Sequence, residues 1–171
     1  MTKTSRKPSD VPDPRTRWDE ITPGLWMGGH IWADDTGGLR TAVVTDEFDL
    51  VISLFTVPGH GPGPDTEHIV GEMPDAALTT VQLRDVQQLA RTAGQAVESG
   101  RRTLVRCYSG YNRSGLVVAQ CLVDRGMPAG GAIDLIRGRR SPWALHNPVF
   151  TEYLTAGLDT AALLGGLDPL P

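Results

Sequence analysis

The chain has 171 residues, 40% of them hydrophobic and 21% charged, which suits one folded domain with its own core rather than a disordered polymer. A net charge of −4 gives no global basic field, so nucleic acid is not an expected partner. No apolar run is long enough to span a bilayer, so a membrane partner is not expected either.

Residues 1–17 are polar, contain Pro8, Pro12 and Pro14, and hold both lysines of the chain, Lys3 and Lys7. They read as a disordered arm without the apolar segment of a signal peptide. The folded domain is expected over 18–171. Within it, 19–22 and 25–28 read as strands separated by Pro23-Gly24, and the apolar run 50–55 reads as a buried strand. A Gly/Pro loop follows at 58–64, then a strand over 67–72 that Pro74-Asp75 ends.

The spacing of Leu83, Val86, Ala90, Ala93 and Val97 predicts a helix over 79–99, and Thr79 with Gln82 has capping-box spacing at its start. A short strand is expected at 103–106 and a helix over 113–125, which Gly126 ends. Pro128 suits the first turn of the next helix, to about 137. A last helix is expected from about Pro148. Strands alternating with helices predict a single α/β domain with a central, twisted, mostly parallel sheet flanked by helices.

The chemistry concentrates in Leu104-Val105-Arg106-Cys107-Tyr108-Ser109-Gly110-Tyr111-Asn112-Arg113-Ser114-Gly115. A strand enters, a short loop turns, and a helix leaves. Successive backbone N–H groups in such a turn can cradle an anion, and the helix N-terminus adds partial positive charge there. Arg113 supplies a planar fork that matches two phosphoryl oxygens. Every one of these neighbours favours a thiolate at Cys107. Gly110 allows a backbone conformation or close approach that a side chain would block. Ser114 can donate a hydrogen bond to the Cys107 sulfur. Phosphate is thus expected to bind over Tyr108, Ser109, Gly110, Tyr111, Asn112 and Arg113.

With Cys107, Gly110, Arg113 and Ser114 in this order, the sequence resembles the protein-tyrosine phosphatase superfamily, most closely its compact dual-specificity branch. Ile21-Thr22-Pro23-Gly24-Leu25-Trp26-Met27-Gly28 is similar to that branch's first hairpin, and Asn147-Pro148-Val149-Phe150 to the start of its final helix. The resemblance covers about residues 18–158. It implies a cysteinyl-phosphate mechanism without a cofactor, acting on phosphotyrosine and, as further candidates, phosphoserine or phosphothreonine of a protein partner. Asp75, on a loop 32 positions before Cys107, matches the family's general acid. Glu72 and Asp65 are the alternatives. Arg106 stands where the family usually has histidine, and is expected to be partly buried against an acidic residue or a carbonyl.

RNA 5′-phosphatases and phosphoinositide phosphatases share this loop pattern, although the latter often carry lysines within the loop and this chain carries none. A pseudophosphatase that binds phosphorylated partners without turnover is the reading from another class. Two cysteines make no disulfide framework, which points to a reducing cytoplasm. Cys121 lies eight residues beyond Arg113, a helical rise of about 12 Å, too far to pair with Cys107, and reads as a small core residue. No Cys-x-x-Cys, His-Glu-x-x-His or clustered-His pattern suggests a metal site. Arg137, Arg139 and Arg140 read as a solvated helix end. His30, His60, His68 and His146 carry no motif spacing and receive no role.

Overall fold

Leu50, Val51, Ile52 and Ser53 are all buried, as a strand covered on both faces requires. The computed structural model describes residues 10–165. Its strands are β1 (Trp18–Thr22), β2 (Leu25–Gly28), β3 (Ile31–Ala33), β4 (Leu39–Thr41), β5 (Leu50–Ser53), β6 (Glu67–Val70) and β7 (Thr103–Arg106). Its helices are α1 (Thr80–Glu98), α2 (Arg113–Asp124), α3 (Ala129–Arg139), α4 (Pro148–Ala156) and α5 (Leu158–Gly165).

Five strands form one sheet in the order β1-β2-β7-β5-β6. β2 and β7, β7 and β5, and β5 and β6 pair in parallel, while β1 pairs antiparallel with β2 across the Pro23-Gly24 turn. The expected α/β domain with a mostly parallel sheet and flanking helices is therefore the observed fold. β3 and β4 form a separate two-stranded ribbon that the sequence did not suggest.

The two faces of the sheet differ. Leu25, Met27, Leu50, Ile52 and Val105 face the helices and join the main core with residues of all five. Val51 and Leu104 face the other way, against Val44 and Phe48 of the 42–48 segment and the rings of Trp18 and Trp26. Successive strand residues alternate between these faces, so consecutive residues at the end of β7 enter different environments.

α1 begins as its capping residues predict: the Thr79 hydroxyl accepts from the Gln82 amide, and the Gln82 side chain accepts from the Thr79 amide. α2 is buried from Arg113 through Leu122, so it has no solvent stripe and fills the space between the sheet and α1, α3 and α4. Removing a wholly buried side chain there, such as Leu116, would cost about 2–5 kcal/mol. That is a large part of a small domain's stability, so the helix carrying the candidate site is also the structural axis.

Several boundaries moved. The strands at 50 and 67 end at Ser53 and Val70, and a further helix, α5, follows Gly157. Residues 1–9 of the expected arm and 166–171 lie outside the described residues. Residues 10–17 lack regular structure and are mostly exposed, but Val11 and Pro14 are buried and the Pro12 carbonyl accepts from the Tyr111 hydroxyl at 2.9 Å. The packed unit thus begins upstream of Trp18.

Candidate active site

Cys107 follows β7 on the helix-facing side and is buried. Its amide donates to the Gly28 carbonyl at 3.3 Å, and its Sγ lies 3.3 Å from the Ser114 Oγ in the first turn of α2.

Between them, the carbonyls of residues 108–112 are all engaged, the first four from outside the loop and the last by the first turn of α2. Tyr108 accepts from the His30 amide at 2.7 Å. Ser109 and Gly110 accept from Arg140, at 3.0 Å from Nη2 and 3.1 Å from Nε. Tyr111 accepts from the Leu145 amide at 3.0 Å, and Asn112 from the Leu116 amide at 2.8 Å. In a trans peptide the N–H points opposite to the C=O. Holding five successive carbonyls outward therefore turns the amides of Ser109 through Arg113 inward. Among the described residues these amides meet no protein acceptor. Such a ring at a helix N-terminus has the geometry to cradle an anion.

Gly110 permits the turn, with φ at +74°. A Cβ there would lie 2.5 Å from the carbonyl carbon and oxygen of Gly28. Gly29 has the reciprocal constraint, because its Cβ would lie 2.5 Å from the Tyr108 oxygen.

Arg113 is only 4% exposed. Its Nη1 donates to the Met73 carbonyl at 3.2 Å, and its guanidinium stands over the Phe55 ring, 5.2 Å from the centroid. Its Nε is buried with no protein partner among the described residues. An unpaired buried N–H of a charged group costs about 1–3 kcal/mol or more, a cost that an anionic ligand would remove.

Asp75 lies beside the loop. Its Oδ2 accepts from Asn112 Nδ2 at 2.9 Å and its Oδ1 from Asn147 Nδ2 at 2.8 Å. Of the alternatives, Glu72 is exposed and accepts from the Thr56 hydroxyl, and Asp65 is exposed in the loop before β6. Only Asp75 bonds to a residue of the cradle.

No family model matches the chain. A curated relative does: dual specificity protein phosphatase 1B of Arabidopsis thaliana is 30% identical over 137 residues, 79% of this chain and 78% of that protein. The chain belongs to the dual-specificity phosphatase family. Solved structures share the fold. Human DUSP28 superposes with a TM-score of 0.68 at 20% identity, covering 90% of this chain and 99% of that one. PTPMT1, solved in complex with PI(5)P, gives 0.61 at 13% identity, covering 86% and 99%. Tk-PTP in its active form gives 0.59 at 22% identity, covering 81% and 93%.

Against the family pattern, the residue before Cys107 is the departure. Arg106 is wholly buried, but on the face opposite Cys107. Its Nε donates to Ser53 Oγ at 3.0 Å, and its Nη atoms donate to the His60 and Gly61 carbonyls. Ser53 Oγ in turn shares a hydrogen bond with His68 Nε2 at 2.7 Å. The partners are carbonyls and a hydroxyl, with no carboxylate. Burial pushes the guanidinium down to about 10, so it stays cationic at neutral pH. Its charge serves the Gly/Pro loop, which it fastens to the sheet.

The two loop tyrosines separate. Tyr108 is half-buried and meets Phe55 edge-on at 5.6 Å, forming an aromatic wall by Arg113. Tyr111 is 3% exposed, its hydroxyl bonds to Pro12, and burial pushes its phenol up, so its ring packs and only its backbone belongs to the cradle. Cys121 is a core residue whose thiol burial pushes up to about 11.

Sequence reasoning missed Arg140, His30 and the Gly28-Gly29 pair. Of the basic run, Arg139 is exposed, whereas Arg137 donates to the Ala144 and Leu145 carbonyls and Arg140 holds the loop after Cys107. Nothing local distinguishes these arginines. The paired glycines ending a strand were a signal, because adjacent glycines there mark a close backbone approach. His30 donates from Nε2 to the Phe55 carbonyl at 2.8 Å and accepts at Nδ1 from His60 at 3.1 Å. Burial pushes it down to about 4.

Proposed function

We propose that the chain hydrolyses phosphate monoesters through a cysteinyl-phosphate at Cys107. The observation that carries this reading is the buried Arg113, its Nε without a protein partner, at the end of a loop whose amides face inward. The Cys107 thiolate attacks phosphorus as the P–O ester bond breaks, and the Asp75 carboxyl gives its proton to the departing oxygen. Water then attacks the thiophosphate, passing a proton to Asp75. Inorganic phosphate leaves and the thiolate returns, aided by the Ser114 hydroxyl 3.3 Å away. The loop amides and Arg113 stabilise the equatorial oxygens in both steps.

Phosphotyrosine in proteins is the proposed substrate, with phosphoserine and phosphothreonine as further candidates. The Phe55–Tyr108 wall supports an aryl ester, because it offers an aromatic surface next to the guanidinium. A reducing compartment such as the cytoplasm suits a thiolate nucleophile.

The test is turnover of phosphotyrosyl and phosphoseryl peptides, phosphoinositide vesicles and 5′-triphosphorylated RNA, in EDTA. The phosphotyrosyl peptide should turn over fastest, and Cys107→Ser should abolish turnover while still binding that peptide. Faster turnover of the lipid or RNA would overturn the substrate class. Tight phosphopeptide binding without turnover by the wild-type chain would make it a pseudophosphatase.

A further inference from the structure

Two asparagines occupy helix N-cap positions, and both spend an amide on Asp75. Asn147 caps α4 in the ordinary way, its Oδ1 accepting from the Val149 amide at 3.0 Å. Capping uses only an acceptor, and Ser, Thr or Asp would serve equally. The Nδ2 of Asn147 is surplus to that role, and it donates to Asp75 Oδ1 at 2.8 Å. Asn112 precedes α2 but makes no side-chain cap at all. Its Nδ2 goes to Asp75 Oδ2 at 2.9 Å and lies 3.1 Å from His146 Nε2, and its Oδ1 accepts from the Asn147 amide at 3.0 Å.

The result is a closed ring, Asp75–Asn112–Asn147, joining the segment after β6, the nucleophile loop and the start of α4. Each carboxylate oxygen has two lone pairs. One amide on each oxygen fixes the rotation of the carboxyl group and still leaves a position on either oxygen for a transferable proton. From this we infer that Asn147 is a positioning residue for proton transfer, holding the Asp75 carboxyl at the angle from which it reaches the leaving oxygen. The inference rests on the reading of Asp75 as the general acid.

Asn147→Ser separates the two duties of the side chain. Serine retains the cap on Val149, and the backbone N–H of residue 147 still reaches Asn112, but the donor to Asp75 is gone. The experiment measures kcat and KM for aryl phosphates whose phenols span low to high pKa, with thermal melting of each variant. For Asn147→Ser the melting temperature should stay near wild type and KM should hold. Its kcat/KM, which reports the step in which the leaving group departs, should fall by about ten- to a hundredfold for the poorest leaving groups, the scale of a misplaced catalytic group, and little for the best. Asn147→Ala should show the same kinetics with a lower melting temperature. Asn147→Thr, a second cap-competent variant, should behave as serine does.

Wild-type leaving-group dependence in Asn147→Ser and Asn147→Thr, or an equal loss across the series, would overturn the inference. Asp75→Asn, run alongside, tells the two failures apart. If it steepens the dependence while the Asn147 variants do not, the positioning role alone falls. If Asp75→Asn itself keeps the wild-type dependence, the acid assignment falls and the positioning role with it.

Discussion

Arg140 grips the loop after Cys107 from behind: its Nε donates to the Gly110 carbonyl at 3.1 Å, and its side chain is wholly buried. The same guanidinium reaches the Ser109 carbonyl, the Thr16 carbonyl and hydroxyl, and Asp19 Oδ2 at 2.9 Å. It thus ties the cradle to the segment before β1. An anion cradle needs its carbonyls turned away from the anion, and Arg140 supplies the donors for two of the five.

Arg140→Ala would leave the buried loop carbonyls and Asp19 without their partner, a loss of about 3–5 kcal/mol by analogy with broken buried pairs. Arg140→Lys keeps the charge but cannot span both carbonyls. It should remain folded and bind vanadate about tenfold more weakly, a change of about 1.4 kcal/mol. Titration of vanadate inhibition checks this. Unchanged inhibition would mean that the loop holds its shape without the fork.

Gly110→Ala should be more damaging than its size suggests. The backbone sits at φ +74°, and the new methyl would meet the Gly28 carbonyl at 2.5 Å. The left-handed conformation alone costs roughly 1–2 kcal/mol. Relief of the clash must also move β2 or the cradle, since the contact is with backbone. The expected outcome is a lowered denaturation midpoint together with loss of oxyanion binding, read by urea melts with and without phosphate.

Arg106→His restores the residue usual in the family, on the face opposite Cys107. The pH midpoint for alkylation of Cys107 by iodoacetamide should therefore move little. Stability should fall, because Ser53 Oγ and the carbonyls of His60 and Gly61 lose buried donors. Each such loss costs about 1–3 kcal/mol. A shift of several pH units in the alkylation profile would contradict this placement of the guanidinium.

His30 makes stability depend on pH. Burial lowers it from 6.5 to about 4, so the native state binds its proton less readily than the unfolded chain does. Its contribution is fully present above about pH 6.5 and is lost as pH falls toward 4, an upper bound of roughly 3 kcal/mol from that difference. His60 and His68 are pushed down by burial too, and act in the same direction. The urea midpoint should therefore fall between pH 7 and pH 4.5. In His30→Gln, whose amide can still donate to the Phe55 carbonyl, that fall should be shallower. An equal slope in both proteins would assign the effect to other groups.

Elements with local causes were legible in the chain before any folding was considered. Thr79 and Gln82 sit one helical turn apart and cap α1 wherever that helix lies. The order Cys107, Gly110, Arg113 within a strand–loop–helix passage was enough to mark the candidate anion-binding loop, because the amides of such a loop come from consecutive residues. What holds that loop open and aims its neighbours came from contacts between segments far apart in the chain. Arg140 is distant in sequence from Asp19 and Gly110, Asn147 is distant from Asp75, and His30 meets Tyr108 just beyond the ends of the adjacent strands β2 and β7. Nothing in the local sequence of an arginine at a helix end, or an asparagine at a helix start, says which distant carbonyl or carboxylate will face it. The face on which Arg106 emerges follows from strand alternation. Its partners came from the packing of β5 and the Gly/Pro loop around it, because a buried guanidinium takes whichever acceptors the fold brings within reach.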